Sequence, residues 1–193
     1  HILVNDGSTD NTLQIINNVK AHNIKIVGKK HIGRGHALNL GLENASGDYI
    51  SILDSDDCIN PSWIEFFLDN YSKYQDAGVY FGKVSTDLHL FHSHNNVSAT
   101  SDKIMNPAKL LFVNPIGHSG SIFKNSAIQK IGGYSLSIKS QFDWDLWMRL
   151  SQITQFTGIG KVLAAADVEG KRISSNRQAS IRGHRMFAAK HQD

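Results

Sequence analysis

A single cysteine, Cys58, stands among 193 residues. That excludes an intrachain disulfide and points to a reducing compartment. No apolar run approaches the roughly 18 to 20 residues that a bilayer-spanning helix needs, and no signal peptide opens the chain. There is no repeat, no low-complexity segment and no clear linker, so one domain is expected. No RNP-type aromatic box, paired zinc-ligand motif or leucine zipper is present, and the formal charge of +3 is too mild for a nucleic-acid-binding stripe. These absences lead to the expectation of a soluble, cytosolic protein that does not bind nucleic acid. The 40% hydrophobic content suffices for a packed core. The basic residues gather late (Lys161, Lys171, Arg172, Arg177, Arg182, Arg185, Lys190), which suggests phosphate or an anionic surface near that end.

The alternation of elements is more informative. "HILVNDGSTDNTLQIINNVK" reads as a short β-branched strand, a tight loop and a helix with Leu13, Ile16 and Val19 on one face, with Ser8 or Thr9 as its N-cap. "IKIVGKK" is a second strand. "GRGHALNLGLENASGDYISILD" gives a helix with Leu38, Leu42 and Ala45 inward, a Ser-Gly turn and a third strand, Tyr49 to Leu53. Such alternation predicts βαβ units and a mainly parallel central sheet flanked by helices, with a smaller mixed sheet following. Asn60-Pro61 then starts a helix whose apolar face is Trp63, Phe66, Phe67 and Tyr71. "GVYFGKVS" and "FTGIGKVLAA" read as strands, and "LHLFHSHNN" as part of a hairpin whose histidines 89, 92 and 94 are ordinary surface residues.

Two acidic loops end predicted strands. Ligands of α/β sheets bind at the carboxyl ends of strands, so the two loops are expected to share a crevice. In Asn5-Asp6-Gly7-Ser8-Thr9-Asp10, glycine allows close backbone approach and Asp6 can accept from a base N–H or a ribose hydroxyl. In Leu53-Asp54-Ser55-Asp56-Asp57, the Asp-x-Asp spacing lets carboxylates hold a divalent cation shared with phosphate oxygens. Alone, that spacing reads equally as a solvated acidic turn. In "QFDWDLWMRL", helical spacing puts Asp143 with Leu146, Trp147 and Leu150 on an inward face, where a carboxylate can serve as a general base. Asp145 and Arg149 fall opposite, as an expected solvated i,i+4 pair of about 0.3 to 0.5 kcal/mol. His118, flanked by Gly117 and by Ser119-Gly120, suggests close approach to some partner. Cys58 follows an acidic loop and is no candidate nucleophile.

"ILVNDGSTDNT", "GRGHALNLGLENASGDYISILDSDD" and "GGYSLSIKSQFDWDLWMRL" together, in order and spacing, resemble the family 2 glycosyltransferases with a GT-A fold. The resemblance implies inverting transfer of a sugar from a nucleotide-diphospho-sugar, UDP-linked in the first instance, to a hydroxyl of a glycan or lipid-linked glycan. It implies Mn2+ or Mg2+ as cofactor, and a role in cell-surface polysaccharide synthesis at the inner face of a membrane. The basic C-terminal part would then give peripheral membrane association. Carried over by residue, Asp143 is the catalytic base, and Asp6, Gly7, Ser8, Arg34, Asp54 and Asp56 bind the donor. Asp56 is the principal metal ligand, Glu169 a second one, and Lys171 and Arg172 cover the diphosphate. Residues 1–57 are the nucleotide-binding part and 58–193 the acceptor-binding and catalytic part.

The chain departs from that pattern in three places. Asn5 replaces the first acid of the usual Asp-Asp-Gly-Ser, and Phe142 replaces an acid before Asp143. Family members also open with a further strand, loop and helix. The domain is therefore expected to be N-terminally incomplete by roughly 30 to 40 residues, the size of a βαβ unit. The alternative reading is a non-catalytic nucleotide-sugar-binding module. A nucleotidyltransferase is disfavoured for want of its Gly-rich N-terminal signature.

Overall fold

The computed structural model describes residues 1–19, 22–28, 30–86, 103–138, 140–166 and 187–191. The histidines at 89, 92 and 94 lie outside that set, as do Glu169, Lys171 and Arg172. The chain begins as expected: strand β1 (Ile2–Val4), helix α1 (Thr12–Asn18) and strand β2 (Lys25–Val27) form a βαβ unit whose strands pair in parallel, Leu3 opposite Ile26. The start of α1 differs from the sequence reading. Its N-cap is Asn11, and the nearest side-chain support is Asp10, which accepts from the Thr12 N–H at 3.0 Å. Leu13 and Val19 are exposed and Ile16 is half-buried, so its apolar face is largely uncovered among the described residues.

The remaining order is α2 (Arg34–Glu43), β3 (Tyr49–Ser51), β4 (Asp57–Ile59), α3 (Trp63–Lys73), β5 (Ala77–Ser85) and β6 (Lys103–Ile104). A 3-10 turn (Pro107–Leu111), β7 (Ile122–Lys124), α4 (Asn125–Lys130), α5 (Phe142–Ser151) and β8 (Gln155–Ala166) follow. Residues 187–190 are again helical.

The parallel reading of the central sheet is corrected here. β1 and β2 form a sheet of their own, and the larger six-stranded sheet, ordered β3-β7-β5-β8-β4 with β6 also on β8, is mixed. Only β5–β8 runs parallel among its strand pairs; the β3–β7, β5–β7, β4–β8 and β6–β8 pairs are antiparallel. The cause is the chain after the second acidic loop. β4 doubles back onto β8 instead of continuing a βαβ crossover, and β7 inserts between β3 and β5. Register shifts at Ala77/Val79, Phe81/Lys83 and Lys83/Val84 distort the β5–β8 ladder, the effect of residues left over at bulges.

Both faces of this sheet are covered, which is why β5 is buried from Ala77 to Gly82. Val79 and Phe81 meet one layer, with Leu42 from α2 and Leu146, Trp147 and Leu150 from α5. Tyr80 meets the other, where Trp63, Phe66, Phe67 and Tyr71 of α3 pack as the helical spacing predicts. One α5 expectation fails. Asp145 is fully buried rather than solvated, because the last helical stretch packs over it. Its Oδ2 accepts from Arg149 Nε at 2.9 Å, and its Oδ1 meets Lys190 Nζ at 2.6 Å and His191 Nε2 at 3.1 Å.

Candidate active site

The first acidic loop organises the second through the β2–α2 connection. Asp6 Oδ1 accepts from the Ile32 and Gly33 N–H groups at 2.7 and 3.2 Å, and Oδ2 lies 3.0 Å from His31 Nδ1. Gly7, at φ +75, lies so close to this loop that a Cβ would sit 2.4 Å from the His31 nitrogen. Ser8 is held by its N–H donating to Asn5 Oδ1 at 3.0 Å. Gly33 takes φ +90 as the N-cap of α2, a conformation that suits glycine. These contacts set the direction of Arg34, the first residue of α2. Its Nη2 donates to both oxygens of Asp54, at 2.9 and 2.8 Å. The two acidic loops do converge, with the β2–α2 loop as their bridge.

Asp54 stands where β3 has ended, its backbone N–H donating to Ser119 Oγ at 3.2 Å. Ser119 Oγ in turn donates to Asp57 Oδ2 at 2.6 Å. One hydroxyl therefore stitches both ends of the loop, and Asp57 is taken up in fixing it. Burial alone would raise the Asp54 pKa, but His118, with Nδ1 at 3.5 Å, and Arg34 outweigh it and hold the carboxyl down to about 2. Asp56, between them, is exposed and makes no hydrogen bond or ion pair among the described residues.

His118 was flagged in the sequence only by its glycine-rich surroundings. It is 9% exposed, and its Nε2 lies 2.8 Å from the Tyr134 hydroxyl. Tyr134 is positioned by α2: the Asn39 side chain donates to its carbonyl at 2.9 Å and accepts from its N–H at 2.8 Å. The pKa of this phenol is pushed up by burial first and then by the negative charges of Asp143 and Asp54. It therefore lies in the field of both carboxylates. Tyr134→Phe leaves a buried histidine nitrogen without its partner. A loss of about 1 to 3 kcal/mol is expected, read as a lower urea midpoint at unchanged m-value.

Asp143 lies in the first turn of α5, partly buried, and its Oδ2 accepts from Asn114 Nδ2 at 2.8 Å. The residue preceding the helix, Gln141, adopts the left-handed conformation at φ 62 and is the one such non-glycine among the described residues. Asn114 also borders a cavity of about 270 Å³ lined by Phe81, Gly82, Lys83, Val84 and residues 115–117. Asn114 and Ser119 lie outside the quoted motifs, and Asn39 and Tyr134 lie inside them without an assigned role; each is defined by a partner distant in sequence.

A divalent cation fits one part of this arrangement. The exposed, unengaged carboxylate of Asp56 is a hard oxygen donor of the kind that shares Mn2+ or Mg2+ with phosphate oxygens and water. Asp54 is already paired with Arg34. No group of three or more His, Cys, Asp or Glu side chains among the described residues encloses a metal ion unaided.

The family model for glycosyl transferase family 2 matches residues 1–132. The chain belongs to that family. Among characterised relatives, the chondroitin synthase of Pasteurella multocida strain Pm70 is 29% identical over 165 residues, covering 83% of this chain and 16% of the relative. The Escherichia coli chondroitin synthase is 27% identical over 174 residues, covering 89% and 25% respectively. The chain thus spans a quarter or less of those proteins. In fold it is similar to Staphylococcus aureus TarS 1–349 in complex with UDP-GlcNAc, with a TM-score of 0.72 at 18% identity, covering 97% of this chain and 57% of that TarS segment. It is likewise similar to the mannosyltransferase PcManGT of Pyrobaculum calidifontis with GDP-Man and Mn2+, with a TM-score of 0.71 at 18% identity, covering 100% and 55%. Asp54 thus reaches Tyr134 through His118, and the charge of Asp143 adds to that of Asp54 in raising the Tyr134 pKa.

Proposed function

We propose that this family 2 domain transfers a sugar, with inversion, from a nucleotide-diphospho-sugar to a hydroxyl of a glycan acceptor. The observation that carries this reading is the pairing of two separate carboxylate stations around buried Tyr134. One is Asp54, locked to Arg34 beside the free Asp56; the other is Asp143, held by Asn114. The relatives that are polysaccharide synthases support a surface-glycan acceptor, and the solved structures with UDP-GlcNAc and GDP-Man support a nucleotide-sugar donor. We take UDP as the first nucleotide to test.

In this mechanism Asp143 takes the proton of the acceptor hydroxyl as its oxygen attacks the anomeric carbon. The new C–O bond forms on the face opposite the departing nucleoside diphosphate, which leaves with the electron pair of the broken bond. Asp54, fixed by Arg34, faces the donor's ribose and sugar, while Asp6 holds the loop that aims Arg34. Asp56, with Glu169 from the late segment, would hold Mn2+ or Mg2+, and Lys171 and Arg172 would cover the diphosphate. The bound cation supplies charge neutralisation for the leaving diphosphate.

No helix among the described residues is long and apolar enough to cross a membrane. We assign the remaining late basic residues, Arg177, Arg182 and Arg185, to peripheral contact with an anionic membrane face, where lipid-linked acceptors would be met.

Calorimetric titration with UDP in the presence of manganese tests the site. Asp56→Ala is expected to weaken metal-dependent UDP binding by about tenfold or more, since it removes the charged oxygen that shares the cation. Unchanged affinity would reject the assignment. UDP binding without turnover of any donor in the full-length protein would favour a binding module instead.

A further inference from the structure

We propose that Asn114 is the positioning residue for the Asp143 carboxylate. This rests on the reading of Asp143 as the base. The two ends of the Asn114 amide are chemically distinct, one accepting and one donating. Its Oδ1 accepts from the Ile116 backbone N–H at 3.3 Å. That contact turns the NH2 group to Asp143 Oδ2, to which it donates at 2.8 Å. The next residue, Pro115, restricts the Asn114 backbone to extended conformations and fixes its own φ. The donor therefore projects from a stiff loop.

This loop bond leaves one oxygen of the base open. Asp143 Oδ2 is engaged, whereas Oδ1 has no hydrogen-bond partner among the described residues. The residue before Asp143 is the apolar Phe142, which offers it no polar group, so Asn114 is its side-chain donor among the described residues. A carboxylate with one oxygen tethered and one free is suited to accept a hydroxyl proton along a fixed direction.

Asn114 also forms a wall of the 270 Å³ cavity between residues 81–84 and 114–117. That volume lies just below the range typical of ligand pockets, about 300 to 1,000 Å³. The side chain that bonds the base therefore also borders an open space on the other side of its loop.

Two variants separate positioning from simple loop support. Asn114→Ala removes both contacts. Asn114→Asp keeps an oxygen for the Ile116 N–H but presents a carboxylate to Asp143 in place of a donor. We expect crystal structures of both variants to show Asp143 turned away from the orientation that its Asn114 bond gives it, with α5 otherwise unchanged. With a panel of UDP-sugars, we expect kcat to fall about 10- to 100-fold in both, the scale of a small misplacement of a reacting group, with the donor KM within about twofold. A loop-supporting role predicts instead that Asn114→Asp behaves as wild type. Asp143 in its original rotamer in both variants, or an unchanged kcat in Asn114→Asp, would overturn the proposal. Asp143→Asn with wild-type turnover would overturn the base assignment itself. An inactive Asp143→Asn beside unaffected Asn114 variants would reject only the positioning role.

Discussion

Asp143→Asn is expected to lower turnover by about 10²- to 10⁴-fold, the usual contribution of a positioned general base, while leaving UDP affinity in manganese within about twofold. The separation follows from the geometry. The donor-side residues Arg34, Asp54 and Asp56 lie on α2 and on the loop between β3 and β4, whereas Asp143 lies on α5 and is bonded from the loop before β7. An amide at 143 preserves shape and can still pair with Asn114, yet it cannot take a proton. Single-turnover assays with a nucleotide-sugar panel, alongside calorimetry, make the comparison. A loss of UDP affinity equal to the loss of rate would show that residue 143 serves donor binding instead.

The second large effect concerns stability. Asp145→Asn is expected to destabilise the fold by about 3 kcal/mol, the lower end of the range for removing one partner of a buried ion pair. The lower end applies because Arg149 and Lys190 retain 21% and 30% exposure, so water partly solvates the stranded cations. For a domain of this size that corresponds to a fall in Tm on the order of 10 °C. Arg149 also donates through Nη1 to the Ile131 and Gly133 carbonyls at 3.1 and 2.7 Å, so loosening it disturbs the turn that precedes Tyr134. A shift of less than about 2 °C would contradict the buried network.

The same residue gives a pH dependence. Burial opposes ionisation of Asp145, but Lys190 and Arg149 prevail, and its carboxyl lies below the ordinary carboxylate value. A carboxyl depressed in the folded state contributes stability that is fully present above its unfolded value near pH 4. The contribution is lost as pH falls through the lower native value. Acid melts of wild type should therefore steepen below about pH 4, and Asp145→Asn should flatten that limb.

Local periodicity made much of this legible. The β1-α1-β2 unit, the aromatic face of α3 and the inward Leu146-Trp147-Leu150 stripe of α5 each depend on neighbours within one or two turns, and each stands where the pattern puts it. The mixed sheet was not legible, because the partners of β4 and β6 both lie on β8 and no short-range signal distinguishes that pairing from a further crossover. Asp145 was misplaced for a similar reason: a helical wheel assigns a polar face to water unless a distant segment covers it, and Lys190 and His191 do so here. At the candidate site, strand-end loops pointed to Asp54 and Asp56 as candidates, and helical spacing pointed to Asp143. The residues that hold them, Ser119, Tyr134 and Asn114, became visible only through contacts spanning tens of residues.

The pairing of β4 with β8 also bears on synthesis. Asp57 lies opposite Ala166, more than a hundred residues later, and such long-range closures are slow to form because chain entropy opposes them until both segments exist. During translation, the acidic loop reaches the end of β3 early but lacks its flanking strand until β8 has left the ribosome. The nascent chain thus carries its cluster of negative charge unframed while the more than one hundred residues up to the end of β8 are made. Truncations that stop before Gln155 should therefore yield chains in which that loop never acquires its native shape.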